Sequence, residues 1–176
     1  VKVAPQNLVI ISLGSNLGDS ANLLRAAMDR MAGFADGPLL RSSIWETDPV
    51  DCPPGSPIFL NAAVGFVPKA SGTPERLLSE LKKIEARTGR QAKKTMNEPR
   101  PLDLDIIVYQ TELRATPTLT LPHPRAHLRA FVLGPVSEIA PMLVFPGHQF
   151  TVAEMFRRLP ATERRGARRT EVSAER

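Results

Sequence analysis

The hydrophobic pattern divides the chain into segments of two periods. Residues 8–15, "LVIISLGS", form a β-branched apolar run ending near Gly14 and predict a strand. From Asp19 or Ser20, either of which can cap a helix, Leu24, Ala27, Met28 and Met31 recur at i, i+3, i+4 and i+7. Gly33 and Gly37 close that helix. "RSSIWETD" predicts a second strand, and "IFLNAAVGFV" a third. Between them "PVDCPPGSP" holds four prolines and a glycine, which rules out a regular element. Thr73 caps a second helix with Pro74 at its first position. Leu77, Leu78, Leu81 and Ile84 make its buried face, and Gly89 ends it. A loop, "RQAKKTMNEPR", leads to a fourth strand, "RPLDLDIIVY". "LRAFVLGPVSEIAP" and "TVAEMFRRL" predict two further short helices.

The order β-α-β-β-α-β is that of the ferredoxin-like arrangement, an antiparallel sheet with helices on one face. One α+β domain over residues 1–160 is expected, with extra C-terminal helices. Residues 161–176 hold five arginines against three glutamates and few apolar side chains, and read as a basic, flexible, solvated tail.

The fourth strand carries an anomaly. Asp is depleted from strands, yet Asp103 and Asp105 sit two apart and so share one face. The other face is an apolar row of Leu102, Leu104, Ile106 and Val108. Paired with nearby arginines, the two aspartates would be an ordinary solvated surface. Their neighbours suggest more. Arg90, Lys93, Lys94 and Arg100 precede the pair, and Arg125 and Arg129 follow it. Two hard oxygen ligands suit Mg²⁺, which takes one or two carboxylates and completes its shell with phosphate and water. Acid to hold metal beside base to hold phosphate is the pattern of a phosphoryl-transfer site.

Composition narrows the choice. At 176 residues and 42 % apolar content the chain can bury a real core. The net charge of +5 favours an anionic partner. A single cysteine, Cys52, permits no internal disulfide and suits a reducing compartment. No apolar run approaches the roughly 18 residues of a membrane span, and no signal peptide opens the chain, so a cytoplasmic protein without a membrane partner is expected. There is no GxxxxGK[ST] loop and no protein-kinase motif set. His123, His127 and His148 lack zinc spacing. "LGSNLG" could approach an anion at a strand-to-helix turn, although such a pair of glycines more often makes only a tight turn.

Five segments in order, "SLGSNLGD", "FLNAAV", "IEARTGR", "PRPLDLDII" and "LPHPRAHLRAFVLGPVSEIAP", resemble the 6-hydroxymethyl-7,8-dihydropterin pyrophosphokinase family of the folate pathway. The resemblance spans about residues 8–146 and implies the ferredoxin-like fold. It also implies a reaction in which ATP transfers its β,γ-pyrophosphoryl group to the 6-hydroxymethyl oxygen of the pterin, leaving AMP. By the same resemblance Asp103 and Asp105 bind two Mg²⁺ ions, and Arg90 and Arg100 are catalytic-loop arginines that also meet ATP. His123, Arg129, Glu85 and Ile106 fall on the ATP side. Thr47, Val50, Phe59, Asn61 and Phe131 fall on the pterin side, with the two rings sandwiching the heterocycle and Asn61 matching its amide edge. The proline-rich and basic loops are expected to close over the substrates. The chain departs from the family pattern at Asp48, Asp51, Ala92, Asn97 and Thr118, which bears on nucleotide affinity and loop motion. Two rival readings are a catalytically weak pterin- or nucleotide-binding protein and a ferredoxin-like nucleic-acid-binding module. The second lacks an RNP1 string, and its strand would present carboxylates to phosphate. The expectation is a monomer acting on two small molecules, with no nucleic-acid partner.

Overall fold

The computed structural model describes residues 4–48, 55–88 and 100–170. Arg90, Val50, Gly89, Cys52 and the departures Asp51, Ala92 and Asn97 lie outside these described residues. Along the chain come β1 (Val9–Ser15), α1 (Ser20–Met31), β2 (Leu40–Arg41), β3 (Trp45–Thr47), β4 (Phe59–Phe66), α2 (Pro74–Arg87) and β5 (Asp103–Tyr109). A small hairpin follows, β6 (Arg114–Ala115) and β7 (Thr120–Leu121), then α3 (Ala130–Ile139), α4 (Val152–Arg158), α5 (Ala161–Arg165) and β8 (Ala167–Arg169).

The main sheet has the order β5-β1-β4-β3-β8, with β2 also pairing β4. Its pairs are antiparallel. The order fourth, first, third, second is that of the ferredoxin-like core. The helix starts follow their caps. Asp19 accepts the Asn22 N–H at 3.3 Å, and Thr73 Oγ1 accepts the Arg76 N–H at 3.2 Å. Leu24, Ala27, Met28 and Met31 are buried as their spacing predicts, as are Leu77, Leu81 and Ile84, while Leu78 is half-buried.

Four features differ from the sequence reading or add to it. The strand expected over 41–48 is split into β2 and β3. Ser42 Oγ accepts the Ala63 N–H at 2.8 Å, so a side chain takes a donor that a strand carbonyl would otherwise satisfy.

The two core helices share one face as expected, and the C-terminal helices, which the sequence reading left unplaced, cover the other. α1 and α2 pack on Ile11, Leu13, Ala62, Val64 and Leu104, whereas α3 and α4 pack on Ile10, Ala63, Trp45 and Val108.

The apolar row of β5 holds only to Ile106. Val108 pairs Ile10 and Ile106 pairs Ile11, so Ile107 is an extra residue. This β-bulge moves Val108 to the α3 face and Tyr109 to the α1–α2 face.

The expected tail is folded over its described part. α5 is followed by β8, which pairs Ala167 with Thr47 and Arg169 with Trp45. Backbone pairing with an open sheet edge gives order to a segment whose side chains are mostly polar; residues 171–176 lie outside the description.

α3 lies close against the sheet because Gly134 leaves room for the Trp45 ring. A Cβ there would sit 2.8 Å from Trp45 Cζ3 and 3.0 Å from Cε3. Trp45 cannot easily give way, since the Phe156 ring meets it edge-on with centroids 6.0 Å apart. Gly134→Ala is therefore expected to lower the melting temperature. Overpacking costs about 1–3 kcal/mol, more than the ~1 kcal/mol that alanine gains as a helix former. Thermal denaturation followed by circular dichroism checks this; an unchanged or higher midpoint contradicts the contact.

Candidate active site

Sheet register builds the site. On the α3 face, cross-strand neighbours run Asp103, Gly14, Asn61, Trp45 in one row and Asp105, Ser12, Ala63 in the next. At one end of β1, β4 and β5 this face is polar, and among the described residues α3 and α4 cover only the apolar end. The uncovered end is a cavity of about 370 Å³. Gly14 lies between the carboxylates and Asn61, and a Cβ there would approach Asn61 Oδ1 to 3.2 Å. A glycine at this point leaves a trough joining the two halves of the cavity.

The acidic half holds Asp103 and Asp105, both lining the cavity. Arg100 Nη1 donates to Asp103 Oδ2 at 2.8 Å. Arg100 is itself fixed by a reciprocal clamp. Its N–H donates to Asn16 Oδ1 at 2.9 Å, and the Asn16 N–H donates to its carbonyl at 3.2 Å. Burial first, and then the charge of Asp103, push the Asp105 carboxyl above the usual carboxylate range. His123 and Lys82 oppose that shift and Glu85 adds to it. A pair of oxygen ligands whose second charge is resisted without a cation suits a divalent metal. No group of three or more His, Cys, Asp or Glu with metal-ligating geometry occurs among the described residues. The donor set is therefore two carboxylates, with room for phosphate oxygens and water to complete a shell.

Basic groups rim this half. Arg125, Arg129, His123 and Lys82 all line the cavity. His123 is held by its backbone N–H, which donates to the Ile107 carbonyl at 2.8 Å. The Arg125 N–H donates to its Nδ1 at 3.3 Å, which leaves Nε2 as the ring's other polar atom.

The other half is built from Thr47, Phe59, Asn61 and Phe131. Asn61 Nδ2 donates to Thr47 Oγ1 at 2.7 Å, which orients the amide, and both side chains are buried. Phe59 and Phe131 are half-buried, one on β4 and one in the first turn of α3. The Arg129 guanidinium lies 6.0 Å from the Phe131 ring centroid.

Two residues expected on the ATP side do not line this cavity. Ile106 is buried in the α1–α2 core, because strand alternation turns its side chain away from the Asp face. Glu85 is 1 % exposed and anchors α2 to β5: Oε1 accepts the Leu104 N–H at 2.8 Å and Oε2 meets Lys82 Nζ at 3.0 Å. Thr118 is an exposed residue of the loop between β6 and β7 and does not line the cavity. Sequence reasoning missed Asn16, Ser12 and Lys82 as site residues. The signal for Asn16 was present in "LGSNLG", whose role is to clamp Arg100 as well as to turn the chain.

Comparison with known proteins gives the chain's relatives and supports the fold. A profile of the 7,8-dihydro-6-hydroxymethylpterin-pyrophosphokinase (HPPK) family matches residues 10–141. The 2-amino-4-hydroxy-6-hydroxymethyldihydropteridine pyrophosphokinase of Bacillus subtilis is 40 % identical over 134 residues, covering 76 % of this chain and 78 % of that protein. Its Haemophilus influenzae counterpart is 37 % identical over 140 residues, covering 79 % and 85 %. A folate synthesis bifunctional protein of Arabidopsis thaliana is 39 % identical over 131 residues, and there the match spans 74 % of this chain but only 26 % of the longer protein. Among solved structures, a Plasmodium falciparum HPPK-DHPS crystal structure superposes with a TM-score of 0.69 at 13 % identity, covering 93 % of this chain and 46 % of that one. At that identity it speaks for the fold alone. With three-quarters of its length matched by the profile and with relatives of similar span at this identity, the chain belongs to the 7,8-dihydro-6-hydroxymethylpterin-pyrophosphokinase family.

Proposed function

We propose that this protein transfers pyrophosphate from ATP to the 6-hydroxymethyl group of 6-hydroxymethyl-7,8-dihydropterin. The hydroxymethyl oxygen forms a bond to the β-phosphorus and loses its proton. The bond from that phosphorus to the oxygen bridging to the α-phosphate breaks, and AMP leaves with the electron pair. The observation that carries this reading is the convergence on one cavity of a carboxylate pair, a fixed guanidinium, an oriented buried amide and two aromatic rings.

Each group has a task that follows from its placement. Asn61, oriented by Thr47, meets the amide edge of the pterin, and Phe59 and Phe131 cover its faces. Arg100 faces charge that develops on the transferred oxygens, and Arg129, Arg125 and His123 hold the phosphates. Asp103 and Asp105 are the residues that would hold two Mg²⁺ ions. When bound, the metal supplies charge neutralisation on the phosphates and acidifies the attacking hydroxyl. Arg90 and Val50 complete the family's set in this reading. The chain acts as a cytoplasmic monomer on two small molecules, with no nucleic-acid partner. No helix among the described residues is long and apolar enough to cross a membrane.

The test is AMP release from ATP with Mg²⁺, with and without the pterin. AMP accumulates only when all three are present; ADP as product, or AMP release that ignores the pterin, overturns the reading. Phe131→Ala is expected to weaken pterin binding far more than ATP binding. The ring contact is worth roughly 1 kcal/mol beyond its buried area, so the pterin Kd rises at least about fivefold. Calorimetric titration with pterin and with a non-hydrolysable ATP analogue decides the point. Equal losses for both ligands mean that Phe131 is packing only.

A further inference from the structure

The two walls of the pterin slot belong to different elements. Thr47 and Asp48 stand at the end of β3, and Phe131 stands in the first turn of α3. Neither wall is strongly self-supporting, since β3 has three residues and the first turn of α3 has no side-chain cap.

What joins them lies at their far ends. Glu138, in the last turn of α3, accepts the Ser43 N–H at 2.7 Å through Oε2, and its Oε1 forms an ion pair with Arg169 Nε at 2.8 Å. Arg169 Nη2 also donates to Ser43 Oγ at 2.7 Å. One carboxylate and one guanidinium thus tie the end of α3, the residues leading into β3, and β8. From this knot β8 runs along β3 toward the slot. The Thr170 N–H donates to the Ile44 carbonyl at 2.9 Å, and the Asp48 N–H to the Gly166 carbonyl at 3.1 Å. Between the slot and the knot, Gly134 rests on Trp45. Phe131 lies three residues before that contact and Glu138 four residues after it. The helix is therefore seated at a pivot with a fastening at one end and a substrate ring at the other. A second cavity of about 200 Å³ beside Phe131, bounded by Ala167, Gly166 and Thr162, leaves that ring space to shift if the fastening is released.

We propose that the Ser43–Glu138–Arg169 knot sets the width of the pterin slot, and that Arg169 is a positioning residue for the pterin although it touches neither substrate. The proposal rests on the pterin assignment above. Nucleotide binding is less exposed to the knot, because Asp103, Asp105 and Arg100 stand on the opposite side of β1 and Asn16 clamps the Arg100 backbone; of the groups assigned to the phosphates, Arg129 stands at the start of α3.

The full-length chain is titrated with the pterin in the presence of the non-hydrolysable ATP analogue, and with the analogue alone. Steady-state kinetics and melting curves are recorded alongside. Arg169→Ala is expected to raise the pterin Kd and KM about 5-fold, with kcat at saturating pterin and the analogue Kd changing less than about 2-fold. Arg169→Lys keeps the charge opposite Glu138 and recovers part of that affinity. Arg165→Ala, an exposed arginine of α5, serves as the charge control and leaves all four quantities unchanged. Unchanged pterin affinity in Arg169→Ala, equal weakening of both ligands, or no recovery with lysine each overturns the proposal. Asn61→Ala in the same titration separates the two layers of argument. If it leaves the pterin Kd unchanged, the pterin assignment has failed and the knot's role falls with it. If it abolishes binding while Arg169→Ala does nothing, only the knot is overturned.

Discussion

Asp105→Asn is expected to abolish pterin-dependent AMP release and, without magnesium, to raise the melting temperature. Both outcomes come from the same carboxyl. It is half-buried beside Asp103 with Glu85 adding negative charge, while His123 and Lys82 compensate in part. Its folded pKa therefore lies above the value in the unfolded chain, about 3.9. A raised carboxyl pKa means that the native state disfavours the charge. The penalty is absent below the unfolded pKa and grows to its full size once the pH exceeds the folded one. The asparagine variant removes it, gaining roughly 2–4 °C in midpoint for each ~1 kcal/mol relieved in a chain of this size. The gain is largest at pH 8 and shrinks as the pH falls toward 4. Added magnesium closes the gap from the other side, because it binds and stabilises the wild type alone. Activity falls by at least about 10³-fold, the scale of losing charge stabilisation from a metal as well as a ligand. Normal AMP release by the variant at saturating magnesium would remove Asp105 from the site.

Arg100→Ala is expected to lower kcat by about 10²-fold while changing the KM for ATP much less. The side chain is 13 % exposed and bonded to Asp103, and its backbone is clamped by Asn16, so its charge is in place before substrates arrive. Such preorganisation favours the transition state, where charge spreads over the transferred oxygens, more than the bound ground state. Arg100→Lys recovers only part of the rate, since an ammonium is a point charge without the planar fork that spans two oxygens. Steady-state kinetics with ATP varied at saturating pterin settle the matter. A raised KM with normal kcat would make Arg100 a ground-state phosphate contact only.

Much of this was legible in one dimension. The two long helices announced themselves through their apolar spacing and through Asp19 and Thr73, because capping and periodicity are local properties. The aspartate pair was legible because charge is out of place in a strand. What escaped was set by pairing between distant segments. The bulge at Ile107 needs the register with β1 before it exists at all, and it sends Val108 to the opposite face. The trough at Gly14 follows only when Asp103 and Asn61 become its neighbours. Ile106 and Glu85 matched the family's pattern as residues, yet their side chains serve the core and the α2–β5 junction. The folding of residues 161–169 was hidden because β8 owes its order to the open edge of β3, not to apolar side chains of its own. Arg90 and Val50 lie outside the described residues.

The half-covered face of the sheet carries one more consequence. α1 and α2 complete the layer on one side, but on the other α3 and α4 stop short, and among the described residues no helix lies above the polar ends of β1, β4 and β5. Bound nucleotide and pterin would take the place of that absent helix, so that the substrates become the final piece of the architecture. A protein finished by its own reactants is held most firmly while it is working. Each ligand then raises the unfolding temperature in proportion to the logarithm of its concentration over its Kd. Shifts in melting temperature can therefore rank pterin-like and nucleotide-like compounds for this cavity without any assay of turnover.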